Sequence, residues 1–233
     1  MKKIVFSLLI LTFLTPVYSL QAQSVDLLWQ GDTYTSPFYK GRTLWSSQSR
    51  IKLVAIPQEL GSSANLNYKW TKNGVILGNI SGVGKNYLSF SDSILSKPQS
   101  VKVEIISNQN TVLASASVII TPITSKLTVY ENNPLYGFMF HKEVGKTYQL
   151  LEREITLSAF PFFFDILNRT DDAIDYEWNT NAGVGKNGSS VTYRTPDNTA
   201  GSSEIRVRVS NKNDITQDIN KNFLIKFENN TKI

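Results

Sequence analysis

The sequence predicts an all-β protein: two tandem antiparallel β-sandwiches of about a hundred residues each, behind an N-terminal signal peptide. Three observations carry this expectation. Short stretches such as 51–57, 100–105 and 204–209 alternate apolar and polar residues with period two, punctuated by Gly, Asn, Ser and Pro. Neither half shows a convincing helical period. A set of matches also recurs in the same order about a hundred residues downstream, the mark of a duplicated unit.

In chain order, MKKIVFSLLILTFLTPVYSLQA (1–22) has two lysines, an apolar stretch and small polar residues, the pattern of a secretory signal peptide. Cleavage is expected after Ser19 or Ala22; Pro16 and the modest length argue against a retained anchor. Removing Lys2 and Lys3 takes the net charge from +5 to +3, too mild for a nucleic-acid track. With no cysteine in the chain, a lipoprotein anchor and disulfides are excluded, so apolar cores must carry stability. The rest divides into domains at 23–122 and 123–233. Leu27-Leu-Trp-Gln and Leu127-Thr-Val-Tyr open the two copies, and Pro37-Phe-Tyr39 recurs as Pro134-Leu-Tyr136. Ile51-Lys-Leu-Val-Ala-Ile-Pro57 matches Ile155-Thr-Leu-Ser-Ala-Phe-Pro161. Tyr68-Lys-Trp70 matches Tyr176-Glu-Trp178, with Tyr and Trp on one strand face, so Trp70 and Trp178 are expected in the two cores. Ser100-Val-Lys-Val-Glu-Ile105 matches Glu204-Ile-Arg-Val-Arg-Val209.

The Y-x-W strand, the later strand SVKVEIIS or SEIRVRVS, and VTYRTPDNTAGSSEIRVRVS resemble bacterial immunoglobulin-like or PKD-like repeats. The opening LLWQGDTYTSPFYKGR is similar to the start of exported immunoglobulin-like proteins of small-genome bacteria. The likeness implies tandem immunoglobulin-like sandwiches and no catalytic residue. The paired cysteines of antibody domains are absent, and the PKD signature WDFGDG becomes WTKNG and WNTNAG.

GVGKN occurs at Gly82–Asn86 and at Gly183–Asn187, and GNISGVGKN approaches a phosphate loop. The spacing is wrong, however: Gly78 stands five residues before Gly84, and Asn86 replaces the magnesium-binding hydroxyl. Alternating, strand-like sequence follows instead of a helix, so the motif reads as a turn and no nucleotide or other cofactor is expected. A single histidine, His141, and no cysteine leave no His/Cys metal site, and no serine sits in a nucleophile elbow, so no enzyme activity is expected. Asp171, Asp172 and Asp175, with Asp165, are weak calcium candidates in the loop before the second Y-x-W strand; the alternative is a solvated acidic loop.

Trp29, Tyr34, Phe38, Tyr39 and Trp45 cluster early in copy one. Exposed, they would bind a protein or glycan partner; buried, they would close the sandwich edge. Asn79, Asn168, Asn187 and Asn229 head Asn-x-Ser/Thr triplets, which matter only in a eukaryotic secretory route. The expected function is adhesion or structural support at a cell surface or envelope, with a carbohydrate-binding module as the alternative.

Where copy one has Gln58-Glu-Leu60, copy two has Phe162-Phe-Phe164. Three exposed phenylalanines would be an aggregation hazard, and the linker Ile120–Lys126 is short. At least two of Phe162, Phe163 and Phe164 are therefore expected to pack on copy one, against Pro37–Tyr39 and Ile94-Leu95.

Overall fold

The computed structural model describes residues 22–181, 183, 185–197 and 199–228. The signal peptide apart from Ala22, Asn229, and Val184 of the second GVGKN lie outside the described residues. Apart from two short 3-10 turns, the described secondary structure is β-strand.

The first copy contains β1 (Ser24–Gly31), β2 (Arg50–Gln58), β3 (Asn67–Lys72), β4 (Val75–Ile76), β5 (Gly82–Val83), β6 (Tyr87–Ser91), β7 (Gln99–Ile106) and β8 (Val112–Ile120). One sheet has the order β1-β2-β6; the other runs β4-β3-β7-β8, with β5 also on β3. Alternation does the sorting. Ile51, Leu53 and Ala55 of β2 face Tyr68 and Trp70 of β3 and Val101, Val103 and Ile105 of β7 in one core.

The second copy contains β9 (Lys126–Asn133), β10 (Gly137–Glu143), β11 (Thr147–Leu150), β12 (Glu154–Phe162), β13 (Ile174–Thr180), β14 (Lys186–Asn187), β15 (Ser190–Arg194), β16 (Gly201–Asn211) and β17 (Asp218–Phe227). Its sheets are β10-β9-β12-β15 and β11-β17-β16-β13-β14. The short β11 joins β17 in parallel while β9 and β10 stay with the other sheet, so the leading segment switches sheets. This strand order is that of an immunoglobulin-like or fibronectin-III-like sandwich. Ile155, Leu157 and Ala159 line its core with Tyr176, Trp178, Ile205, Val207 and Val209.

Trp70 and Trp178 are both 0% exposed. Trp70 Nε1 donates to Lys85 O at 2.8 Å, and Trp178 Nε1 donates to Gly188 O at 2.8 Å. The GVGKN turns and their flanks thus supply the carbonyl that a buried indole requires. The letter-identical motifs do not superpose, however. In copy one Ala55 N donates to Asn86 O, but in copy two Ala159 N donates to Ser189 O, two residues further on. The positive-φ glycines in or beside the motif are Gly82 and Gly84 in copy one, but Gly183 and Gly188 in copy two. Two extra residues, Gly188 and Ser189, precede β15, so the indole acceptor lies inside the motif in copy one, at Lys85, and just after it in copy two, at Gly188. Lys85 Nζ donates to Asn79 O in the preceding 3-10 turn and Lys186 Nζ to Thr192 O of β15, so each lysine is held by nearby backbone.

Candidate functional site: an aromatic ridge beside the junction of the two copies

Segment 32–49 leaves the first sandwich and reaches the second. Gly31 permits its departure: a Cβ there would lie 2.4 Å from Leu44 O. Tyr34 N donates to Phe164 O at 2.8 Å, and Phe163 N donates to Tyr34 O at 2.7 Å. Phe163 O accepts Ser46 Oγ at 2.6 Å and Ser125 Oγ at 3.3 Å. Ile123 N of the linker donates to Trp45 O at 2.8 Å. Gln48 Oε1 accepts Thr216 N and Oγ1, and Gln217 Nε2 donates to Ser47 O. Every one of these bonds except the two from the linker, Ser125 and Ile123, joins copy one directly to copy two.

Phe163 has φ +64, and its counterpart Glu59 has φ +56. Both copies therefore make the same left-handed kink, after β2 in copy one and after β12 in copy two, exposed at Glu59 and buried at Phe163. Phe160, Phe162 and Phe163 form a cluster with Tyr34, Leu44, Ile123, Tyr130 and Phe140. Phe164 sits in the core of copy two, with Tyr34 packed against that core. Tyr39 meets Phe162 and Phe163 with ring centroids 6.0 and 5.8 Å apart. The other contact expected on copy one is absent: Ile94 and Leu95 remain exposed. Pairing Gly31 N with Thr43 O and Ile123 N with Trp45 O brings segment 32–49 over this pole instead.

The five early aromatics do not form a single platform. Trp45 is fully buried, its Nε1 donating to Ser49 O at 3.0 Å, which corrects its place among partner-binding candidates. Trp29 is half-buried with the Arg42 guanidinium 4.7 Å from its ring centroid, so that face is covered. Tyr34 is held in the junction. Phe38 and Tyr39 stay exposed, Phe38 at 72%.

These two join aromatics from copy two that sequence reasoning missed. Along the edge strand β10, Phe138 and Phe140 lie two residues apart on one face, over Phe160 at 5.2 and 5.1 Å. Phe140 meets Phe38 at 5.5 Å and Tyr130 at 5.3 Å. At the β9–β10 turn, Leu135 and Tyr136 are 84% and 77% exposed. The ridge runs from Phe38 through Phe140 and Phe138 towards Tyr136. Arg169 supports it from below, its guanidinium 4.9 and 4.6 Å from the Phe138 and Phe160 centroids. Burial lowers the Arg169 pKa, and its Nη1 lies 3.3 Å from Ser189 O and Ser190 Oγ. The F-M-F alternation at 138–140 was the available signal; no such hairpin exists in copy one to draw attention to it.

The acidic loop before β13 brings no metal cage together. Asp171 accepts Leu167 N and Ala173 N, and those bonds hold its carboxyl below the usual range. Asp175 pairs with Lys212 at 3.1 Å, and Lys212 Nζ also donates to Asp172 O. Asp171, Asp172 and Asp175 are thus corrected as calcium candidates: among the described residues no three acids, histidines or cysteines converge. His141 is exposed on β10.

No protein-family model matches the chain, and no curated protein matches it in sequence. Among solved structures the chain is similar to the three N-terminal domains of the Highly Immunogenic Outer Capsid protein (Hoc) of bacteriophage RB49, at 14% identity and TM-score 0.46. That match covers 88% of this chain and 59% of that one, so the chain spans little more than half of it. It is also similar to fibronectin(III)-like modules of Clostridium thermocellum CbhA, at 11% identity and TM-score 0.28 over 88% of this chain and 97% of that one. The central fibronectin-III array of RIM-binding protein matches at 11% identity and TM-score 0.26, over 80% and 66%. The strand order itself carries the fold assignment.

Proposed function

We propose that the chain is an exported, non-enzymatic module of two immunoglobulin-like domains, 23–122 and 123–233, that binds a protein partner at the cell surface or envelope through the β10 ridge. The observation that carries this reading is the set of exposed rings, Phe38 of segment 32–49, Tyr136 with Leu135 at the β9–β10 turn, and Phe138, gathered along the edge strand β10. Monomeric surfaces seldom keep such contiguous apolar area without a use for it. Aromatic anchors give large contact area at small entropic cost, and an edge strand offers backbone groups to an incoming chain. A glycan would need free ring faces. Here Phe138 and Phe140 pack edge-on against Phe160, Trp45 is buried and one face of Trp29 lies under Arg42, which favours a protein over a carbohydrate.

The test is retention of the mature chain on the envelope fraction of the native cell, with a glycan array run alongside. The triple variant Phe38→Ser, Leu135→Ser, Tyr136→Ser changes only exposed side chains and should remain folded. The proposal expects the wild type to be retained, the variant to be lost and no glycan to bind. Equal retention of both proteins, or glycan binding that survives in the variant, overturns it.

A further inference from the structure

In the first sandwich, Trp45 fills the end of the sheet pair nearest the junction. The ring is fully buried, lies 6.4 Å from Phe90 and bonds to Ser49 O. The second sandwich has the corresponding end at the opposite pole of the molecule. There Tyr193 pairs in register with Ile155 as Phe90 pairs with Ile51. Leu150 closes β11 without supplying a large ring, and a cavity of about 590 Å³ opens between the sheets. Leu150, Tyr193, Ile205, Ile225 and Phe227 form its apolar walls, and exposed Glu154 and Arg194 also line it. Tyr193 packs at a tilt against Trp178, their centroids 6.5 Å apart, beneath the Lys186 ammonium, 5.1 Å from the Tyr193 ring centroid. Its hydroxyl is buried and, among the described residues, has no hydrogen-bond partner.

We propose that this cavity binds a small aromatic molecule bearing a hydrogen-bonding substituent, its ring lying between the sheets where Trp45 lies in the first copy. The volume falls within the range of small-molecule sites, and the walls are apolar with a few polar groups at hand. A flat ring suits a slot between two sheets that already holds Tyr193 against Trp178. The substituent has two partners to choose from: the unsatisfied Tyr193 hydroxyl, after a small shift of that ring, or the Glu154 and Arg194 side chains. This site is separate from the β10 ridge and does not depend on it.

Saturation-transfer NMR and thermal melts of the full chain, with indole and p-cresol as probes and cyclohexylmethanol as the non-aromatic control, test the proposal. Saturable binding of the two aromatic probes, a rise in Tm, and at least tenfold weaker binding of the control are expected. Leu150→Trp supplies the ring that Trp45 supplies in copy one and should abolish binding while raising the Tm. Should that variant fail to fold, Ser203→Trp at the half-exposed lining should weaken binding at least tenfold. No saturable binding by the wild type, equal binding of the control, or binding unchanged in Ser203→Trp overturns the proposal.

Discussion

Trp70 and Trp178 show how one residue serves both packing and polar satisfaction. Each fills its core completely and gives its one donor to the turn that follows. Trp70→Ala and Trp178→Ala should each cost about 3–5 kcal/mol, the range for large-to-small core changes. Trp70→Phe keeps most of the apolar volume but strands Lys85 O, so about 1–2 kcal/mol is expected from the lost bond. Denaturant melts check both series; an unchanged midpoint for either alanine variant would remove the core role. Asp165 is the residue with the clearest pH signature. Burial, then the nearby Asp214 and Asp32 carboxylates, push its carboxyl up to about 6 in the folded chain. An acid with a raised folded pKa binds its proton more tightly when folded, so its contribution is favourable below about 4 and is lost as pH rises towards 6. Its described hydrogen bonds are made by the backbone, to Gln217 Oε1 and Asn211 Nδ2. Asp165→Asn should therefore raise the Tm at pH 8 more than at pH 4, and a gain equal at both pH values would contradict the assignment.

The elements most legible in the sequence were those whose period matches their burial. β2, β3 and β13, and β7 and β16 bury alternate residues, so period two marked them and the duplication repeated the signal; β12 alternates only as far as Leu157, and from Ser158 to Phe162 it is buried on both faces. The two-residue shift of GVGKN was not legible, because identical letters conceal a change of register set by Gly188 and Ser189 downstream. The destination of Trp45 was hidden for a different reason. Segment 32–49 is irregular, and its position follows from long-range bonds to Ile123, Phe163 and Thr216 that no local pattern encodes. The ridge was half legible: Phe38 and Tyr39 stood out, whereas Phe138 and Phe140 belong to a hairpin particular to copy two. Two substitutions probe how these elements are built. Gly31→Ala brings a Cβ against the Leu44 backbone and should cost about 1–3 kcal/mol, as overpacking does. Glu59→Gly relieves a left-handed residue whose side chain is exposed, and a gain of about 0.5–1 kcal/mol is expected. Chemical denaturation of the single variants measures both, and opposite signs from those given would refute the backbone account.

At the scale of the whole molecule, the junction makes two sandwiches into one body. Each half has its own sheets and core, and each would otherwise be an independent unit. Buried rings from Phe160 to Phe163, the bonds of Phe163 and Phe164 to Tyr34 and Ser46, and the Gln48 and Ser47 bonds to Thr216 and Gln217 bind them together. The linker adds a parallel bridge between Ser46 and Ile123. A rigid body of this kind fixes Phe38 against Phe140 and so holds the ridge together across two copies. Scanning calorimetry of the mature chain tests this coupling most directly. The account predicts a single endotherm for the wild type, its calorimetric and van't Hoff enthalpies equal, separating into two when Phe163→Asp places a charge in the junction. Two resolved endotherms in the wild type, unmoved by Phe163→Asp, would show the copies to unfold independently and would contradict the rigid junction.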